Sequence, residues 1–295
     1  MGQNPFDLPF LAGPAAKRCI STGPLVRKGC GVPESLTPAD AAVARNELRP
    51  MYAGSYGHEQ QDAQLCAAWG FDLLKYDKCS YQAKDNSSSE QQKPYRIMGT
   101  ILAGLDRDFI FNLSQYGDGE VWSWGREVGE HFWRTTGDLG WGPRGVYSLW
   151  DNIYHDLDKP RDTAKRAGPG GWNDPDNLLI GYIAYGPSDA LQPSADLRFM
   201  PAPLTPDEQY TYMTLWSLEA APLILGSDLT KLDRFTLSLL TNDEVIDVDQ
   251  DPLGKQATRV FNSGGLSVWA KDLEDGSKAV GHNRRVIAEH PEKRE

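Results

Sequence analysis

Apolar and polar positions switch repeatedly between two periods from Ser55 onward, and the switches predict an alternation of helices and short strands. Ser55 is a candidate cap for a helix carrying Ala63, Cys66, Ala67 and Trp69 on one side, ended by Gly70. Phe71 to Tyr76 reads as a buried strand running into Asp77. Tyr95, Met98, Ile101, Leu102 and Leu105 follow Pro94 at helical spacing, and Phe109 to Leu113 is the next strand. Glu120 to Gly129 is weakly helical, and His131 to Thr135 is a strand leading to Gly137-Asp138. Val146, Leu149, Trp150, Ile153, Tyr154 and Leu157 form an apolar stripe on one helix. Gly168 to Asp176 holds a short strand entering a turn. Thr205 caps a helix with Pro206 just inside it and Asp207 and Glu208 at its positive end. Pro222 to Leu225 reads as a strand, and Thr241-Asn242-Asp243-Glu244 as a capping box opening the last short helix.

Strand, loop and helix repeated in this way predict a parallel α/β architecture. After Gly254 the texture changes: Leu266 to Lys271 and Lys278 to Val280, around Glu274-Asp275-Gly276, predict an antiparallel hairpin. The first fifty residues carry Pro and Gly punctuation, the basic pair Arg27-Lys28 and one short helix after Thr37-Pro38, with no strong strand. The predicted organisation is an irregular segment over 1–50, an α/β unit over 51–255, a β segment over 256–281 and a frayed, charged tail over 282–295.

The chain has 295 residues and a net charge of −11, so phosphate backbones would repel it and nucleic-acid binding is not expected. No apolar run approaches the ~20 residues that cross a bilayer, so no membrane partner is expected. Met1 to Lys17 lacks the basic start and apolar core of a signal peptide. Nine Trp suit a large core and equally platforms that stack on sugar rings. Cys19, Cys30, Cys66 and Cys79 contain no CxxC pair, so a zinc ribbon or redox dithiol is unsupported. No Walker, Rossmann or G-x-S-x-G pattern is present. Asp247 to Asp251 resembles a calcium loop at three positions, but Pro252 replaces the required Gly and Thr258 the bidentate Glu. No metal or cofactor is expected.

What remains is acid at strand ends: Asp77, Asp138, and Asp174 with Asp176. Catalytic groups of β/α barrels lie at such ends, and two carboxylates about 5–5.5 Å apart can cleave a glycoside with retention. An Asp at a strand end often only caps the next turn, so position alone leaves both readings open.

Gly54 to Ala63, Trp69 to Cys79, Gly168 to Asp176, Leu215 to Gly226, and Asn242 to Ile246 through Asp249 to Gln256 occur in an order that resembles glycoside hydrolase family 27, the α-galactosidases and α-N-acetylgalactosaminidases. The resemblance runs from Tyr52 to Val280. It implies that the chain corresponds to strands four to eight of a (β/α)8 TIM barrel followed by the start of an antiparallel β-sandwich. It implies a retaining hydrolase of terminal α-linked galactose, with α-N-acetylgalactosaminidase, β-L-arabinopyranosidase and a non-catalytic carbohydrate-binding remnant as alternatives.

By the resemblance Asp77 is the nucleophile and Asp138 the acid/base. Lys75 beside Asp77 would favour its ionised form, and Asp77 nearby would raise the pKa of Asp138. Lys75 and Arg134 correspond to positions that bind sugar hydroxyls, Asp176 to a further substrate-side carboxylate, and Gln115-Tyr116 to the place where the group at C2 is read. A bulky Tyr116 argues against an N-acetyl group there. Trp172 would line the pocket. The partner implied is an α-galactoside, and a homo-oligomer is compatible with the sequence.

The family's Gly-Trp-Asn-Ser-Trp and Asp-Asp-Cys-Trp stretches have no counterpart here, Arg49 stands near the Cys that would bond to Cys79, and Asn177 replaces the usual Met. The expectation is a chain that by itself is weak or inactive. Asn86-Ser87-Ser88 and Asn112-Leu113-Ser114 fit a glycosylation pattern, with Asn112 expected to be buried at a strand end.

Overall fold

A computed structural model describes residues 55–78, 81, 83–139, 162–185 and 198–284. The expected helices after Thr37 and over Val146 to Leu157, like Cys79, lie outside the described residues. Helix α1, Glu59–Ala68, buries Ala63 and Cys66 as its spacing requires. It starts four residues after Ser55, whose carbonyl accepts from His58 N in the turn before it. Trp69 lies past the helix end, where it is exposed and meets Phe71 edge-on, so it does not share the buried side of α1.

Strands β1, Leu73–Asp77, β2, Ile110–Ser114, β3, Phe132–Arg134, and β4, Trp172–Asp174, form one parallel sheet in sequence order. Between β1 and β2 run the short helix α2, Ser88–Gln91, and α3, Lys93–Ala103. Pro94 sits in the first turn of α3, where its missing N–H costs nothing, and Tyr95, Met98 and Leu102 are buried on one side. They pack with Tyr76, Phe111, Leu113 and Trp133 into a first hydrophobic core. The weakly helical stretch after β2 forms two 3-10 turns, Asp118–Ser123 and Gly125–Val128.

Beyond β4 the prediction of further parallel strands holds only in part. Pro222 to Leu225 forms no strand: Leu225 makes an isolated parallel bridge with Leu178, and Ile224 N turns back onto Pro222 O. Proline brings no N–H to a ladder, and the tight turn takes the next donor. Strands β5, Tyr182–Tyr185, and β6, Arg198–Pro201, pair antiparallel, which the periodicity did not indicate.

Helix α4, Pro206–Leu218, opens with the expected capping box between Thr205 and Glu208. Tyr212, Met213, Leu215 and Trp216 build a second core with Leu178, Ile180, Ile183 and Trp269. Two short helices follow, α5, Arg234–Leu240, and α6, Asp243–Asp249. The cap of α6 is Asn242, which accepts from Val245 N; Thr241 instead donates to Leu237 O at the end of α5. The cap is therefore one residue later than predicted, and with Val245 at its third position no reciprocal box forms. Asp247 and Asp249 sit on this helix and not in an ion-binding loop.

The C-terminal hairpin is a three-stranded antiparallel sheet of β7, Thr258–Ser263, β8, Leu266–Asp272, and β9, Lys278–Arg284. His282 to Arg284 belong to β9 and are not frayed, because Asn283 is buried opposite Ser267. The sheet lies against α4. Gly281 lets the two approach closely, since a Cβ there would come within 2.4 Å of Leu218 Cδ1 and push that side chain aside. No helix among the described residues is long and apolar enough to cross a membrane.

Candidate active site

Register decides which side chains meet. Asp77 pairs with Ser114, Leu113 with Trp133, and Arg134 with Asp174, so Asp77, Ser114, Arg134 and Asp174 stand in one row across the C-terminal edge of the sheet. The loops that leave this edge carry Tyr116, Asp138 and Asp176.

Arg134 is the hub. It is 1% exposed, and its Nη1 faces Asp138 Oδ1 at 3.0 Å and Asp176 Oδ1 at 3.1 Å. Its Nη2 donates to the carbonyls of Thr136 and Gly137 at 3.1 and 2.6 Å. The planar fork thereby folds the loop after β3 back on itself and presents Asp138 above the sheet. Burial works against the charge of Arg134, but Asp176, Asp174 and Asp138 outweigh it and hold the guanidinium more firmly protonated.

Asp176 is buried in a left-handed conformation at φ 92°, uncommon for a residue with a β-carbon. Its N–H donates to Asp174 Oδ1 at 2.9 Å, and its Oδ2 accepts from Leu139 N at 2.8 Å. Trp216 Nε1 donates to its carbonyl at 2.8 Å, tying the loop to α4. Burial raises its carboxyl above the usual range, with Arg134 opposing. Asp174 also accepts from Asn112 Nδ2 at 3.2 Å, which engages the buried amide of the second glycosylation pattern.

Asp77 ends β1. Its Oδ1 accepts from Lys78 N at 2.6 Å and from Tyr116 Oη at 3.0 Å. Burial pushes its carboxyl above the ordinary range; Tyr116, Lys78 and Lys75 oppose the rise and Asp138 adds to it. The burial penalty falls on Asp77, whereas the Asp138 side chain is 42% exposed and paired with Arg134. Lys75 is exposed on β1, two residues before Asp77. It opposes the rise at Asp77 less than Tyr116 and Lys78 do.

Gln115 is fully buried, and neither end of its amide has a hydrogen-bond partner. Trp172 is set apart from the others. It starts β4, two residues before Asp174, and its ring lies against Gly254 and Pro169 at the opposite end of the strand. Residue patterns alone did not single out Asn112 as a partner of Asp174, nor the phenol of Tyr116 as a partner of Asp77. The acid of Asp174 at a strand end was the one available signal.

With this geometry in view, residues 45–251 match the family described as alpha galactosidase A. The chain is 34% identical over 231 residues to alpha-galactosidase A of Cellvibrio japonicus, covering 77% of this chain and 51% of that one. It is 37% identical over 227 residues to the alpha-galactosidase of Coffea arabica, covering 77% and 52%. The crystal structure of alpha-galactosidase I from Mortierella vinacea superposes with a TM-score of 0.64 at 25% identity, covering 78% of this chain and 56% of that one. The chain spans about half the length of the curated relatives it matches. It belongs to the alpha galactosidase A family, glycoside hydrolase family 27.

Proposed function

We propose that the C-terminal edge of the parallel sheet is the catalytic edge of a retaining α-galactosidase, and that the sheet is an arc of a (β/α)8 barrel. The observation that carries this reading is the linkage of Asp77 and Asp138. They leave β1 and β3, the two strands that flank β2, and Tyr116 and Arg134 stand between them, with the guanidinium 5.7 Å from the phenol ring centroid.

In the proposed reaction Asp77 attacks the anomeric carbon as the C1–O bond breaks, and Asp138 gives its proton to the leaving oxygen. Asp138, now ionised, takes a proton from water, which attacks C1 and releases Asp77. The exposure of Asp138 suits a group that must exchange protons with an incoming water. Lys75, exposed two residues before Asp77, meets a sugar hydroxyl in this reading. Arg134 and Asp176 meet the sugar from a fixed frame, since they pair with one another and Arg134 also binds the loop backbone. They hold Asp138. Trp172 supports β4 from below.

The test is covalent trapping of the full chain with 5-fluoro-α-galactosyl fluoride, whose C5 fluorine slows hydrolysis of the intermediate. Peptide mapping by mass spectrometry should find the fluorosugar on the peptide containing Asp77, and none in Asp77→Asn. An adduct on another carboxylate, or none on the folded chain, overturns the reading.

A further inference from the structure

The loop after β2 brings a phenol to Asp77 in a way that reading a sugar hydroxyl would not require. Tyr116 Oη and Lys78 N both donate to Asp77 Oδ1. Turning the carboxylate about its Cβ–Cγ bond would break both bonds, so together they set its plane. The phenol is held in place from its own side. Tyr116 has φ 67° and Gly117 φ 89°, two successive left-handed residues that fold the loop tightly over the sheet edge. Gly117 cannot be replaced without movement, because a Cβ there would lie 2.5 Å from the Thr135 carbonyl oxygen. A left-handed backbone at a residue with a β-carbon is strained, and such strain persists only where surrounding contacts over-determine it.

We infer that Tyr116 is a positioning residue for the nucleophile and not a reader of the group at C2, an assignment that rests on Asp77 being the nucleophile. The groups that face Asp77 among the described residues include Lys75 on its own strand, Asp138 from the loop after β3, Tyr95 from α3, and Tyr116. Of the influences that oppose the upward push of burial, the phenol is the strongest. Its hydrogen bond favours the ionised carboxylate over the ester of the covalent intermediate, where the charge has gone. The bond therefore weakens when C1 bonds to Asp77. It strengthens again when water displaces the carboxylate, so Tyr116 assists chiefly the second half of the reaction.

The test uses the full chain with 13C-labelled aspartate carboxyls, titrated by NMR, the Asp77 signal being identified by its loss in Asp77→Asn. In Tyr116→Phe the Asp77 midpoint should rise by about one pH unit. Incorporation of 3-fluorotyrosine at position 116 keeps the ring, makes the phenol a stronger donor, and should lower the midpoint; it serves equally if the Phe variant fails to fold. An unmoved midpoint overturns the inference. On p-nitrophenyl α-galactoside, Tyr116→Phe should lower kcat about tenfold and lower KM with it, because the intermediate accumulates. A raised KM with unchanged kcat would return Tyr116 to sugar reading and also overturns the inference. A shifted midpoint in a chain that turns over no galactoside would sink the α-galactosidase reading while leaving the positioning contact in place.

Discussion

Arg134 and Lys271 are both buried cations, 1% and 3% exposed, and the protein accommodates them by different means. Arg134, at the edge of the parallel sheet, faces two carboxylates and two carbonyls in one plane. Lys271, on β8, gives one hydrogen bond of 2.6 Å to Val248 O near the end of α6, where helix carbonyls lack intrahelical donors. Its neighbour Asp249 is pushed up to about 7 by burial, with Lys271 opposing, while burial holds the Lys271 ammonium below its usual range. One cation is compensated by full charges in fixed geometry. The other is compensated by a dipole end and a carboxyl close to neutral. The difference teaches that equal burial says little about how much a fold depends on a charge.

The largest effect should come from removing the compensated cation. Arg134→Met leaves Asp138 and Asp176 without their shared partner and should cost about 3–5 kcal/mol, read from the urea midpoint. A loss below about 1 kcal/mol would mean that the carboxylates are satisfied without it.

A middle-sized effect should appear at Asp249. Its folded pKa lies above its unfolded value, so the native state holds the proton more tightly. The stability it contributes is complete below about pH 4 and declines as pH rises to about 7. Asp249→Asn should abolish about 1–2 kcal/mol of that decline, measured as thermal midpoints at pH 4.5 and 8. Identical pH profiles for variant and parent would break the comparison.

The smallest effect should be Lys271→Met, within about 1 kcal/mol of the parent at pH 5, where Asp249 is already largely neutral. A loss as large as that of Arg134→Met would show that the two cations are equivalent after all.

Much of the sheet's C-terminal edge was legible because apolar runs lead into Asp77 at the end of β1, Asp138 after β3 and Asp174 at the end of β4, and strand ends in a parallel sheet share a level. Burial of Asn112 was legible for the same reason. Its bond to Asp174, sixty-two positions away, was not, since it depends on β2 and β4 flanking the same strand. The Tyr116 contact was hidden by its left-handed backbone, which no side-chain preference of tyrosine announces. Strand β7 was missed because five of its six residues, all but Arg259, are exposed and give no alternation of inside and outside. The pair β5–β6 was missed because Arg198–Pro201 is a short edge segment ending in proline. The shifted cap of α6 shows that Thr241, having a helix end within reach, serves the carbonyl behind it and leaves capping to Asn242.

Asn173 donates to Thr163 O and Gln256 Oε1 and accepts from Trp133 Nε1, so this core amide is fully engaged by three separate segments. Amide pairing is directional, and a slip of the segment around Gln256 by one residue would offer Asn173 the methyl of Ala257 or the stem of Lys255 in its place. The contact thus acts as a registration key. It lets the C-terminal sheet seat against the helix beneath it in a single alignment, fixed from inside the neighbouring parallel sheet.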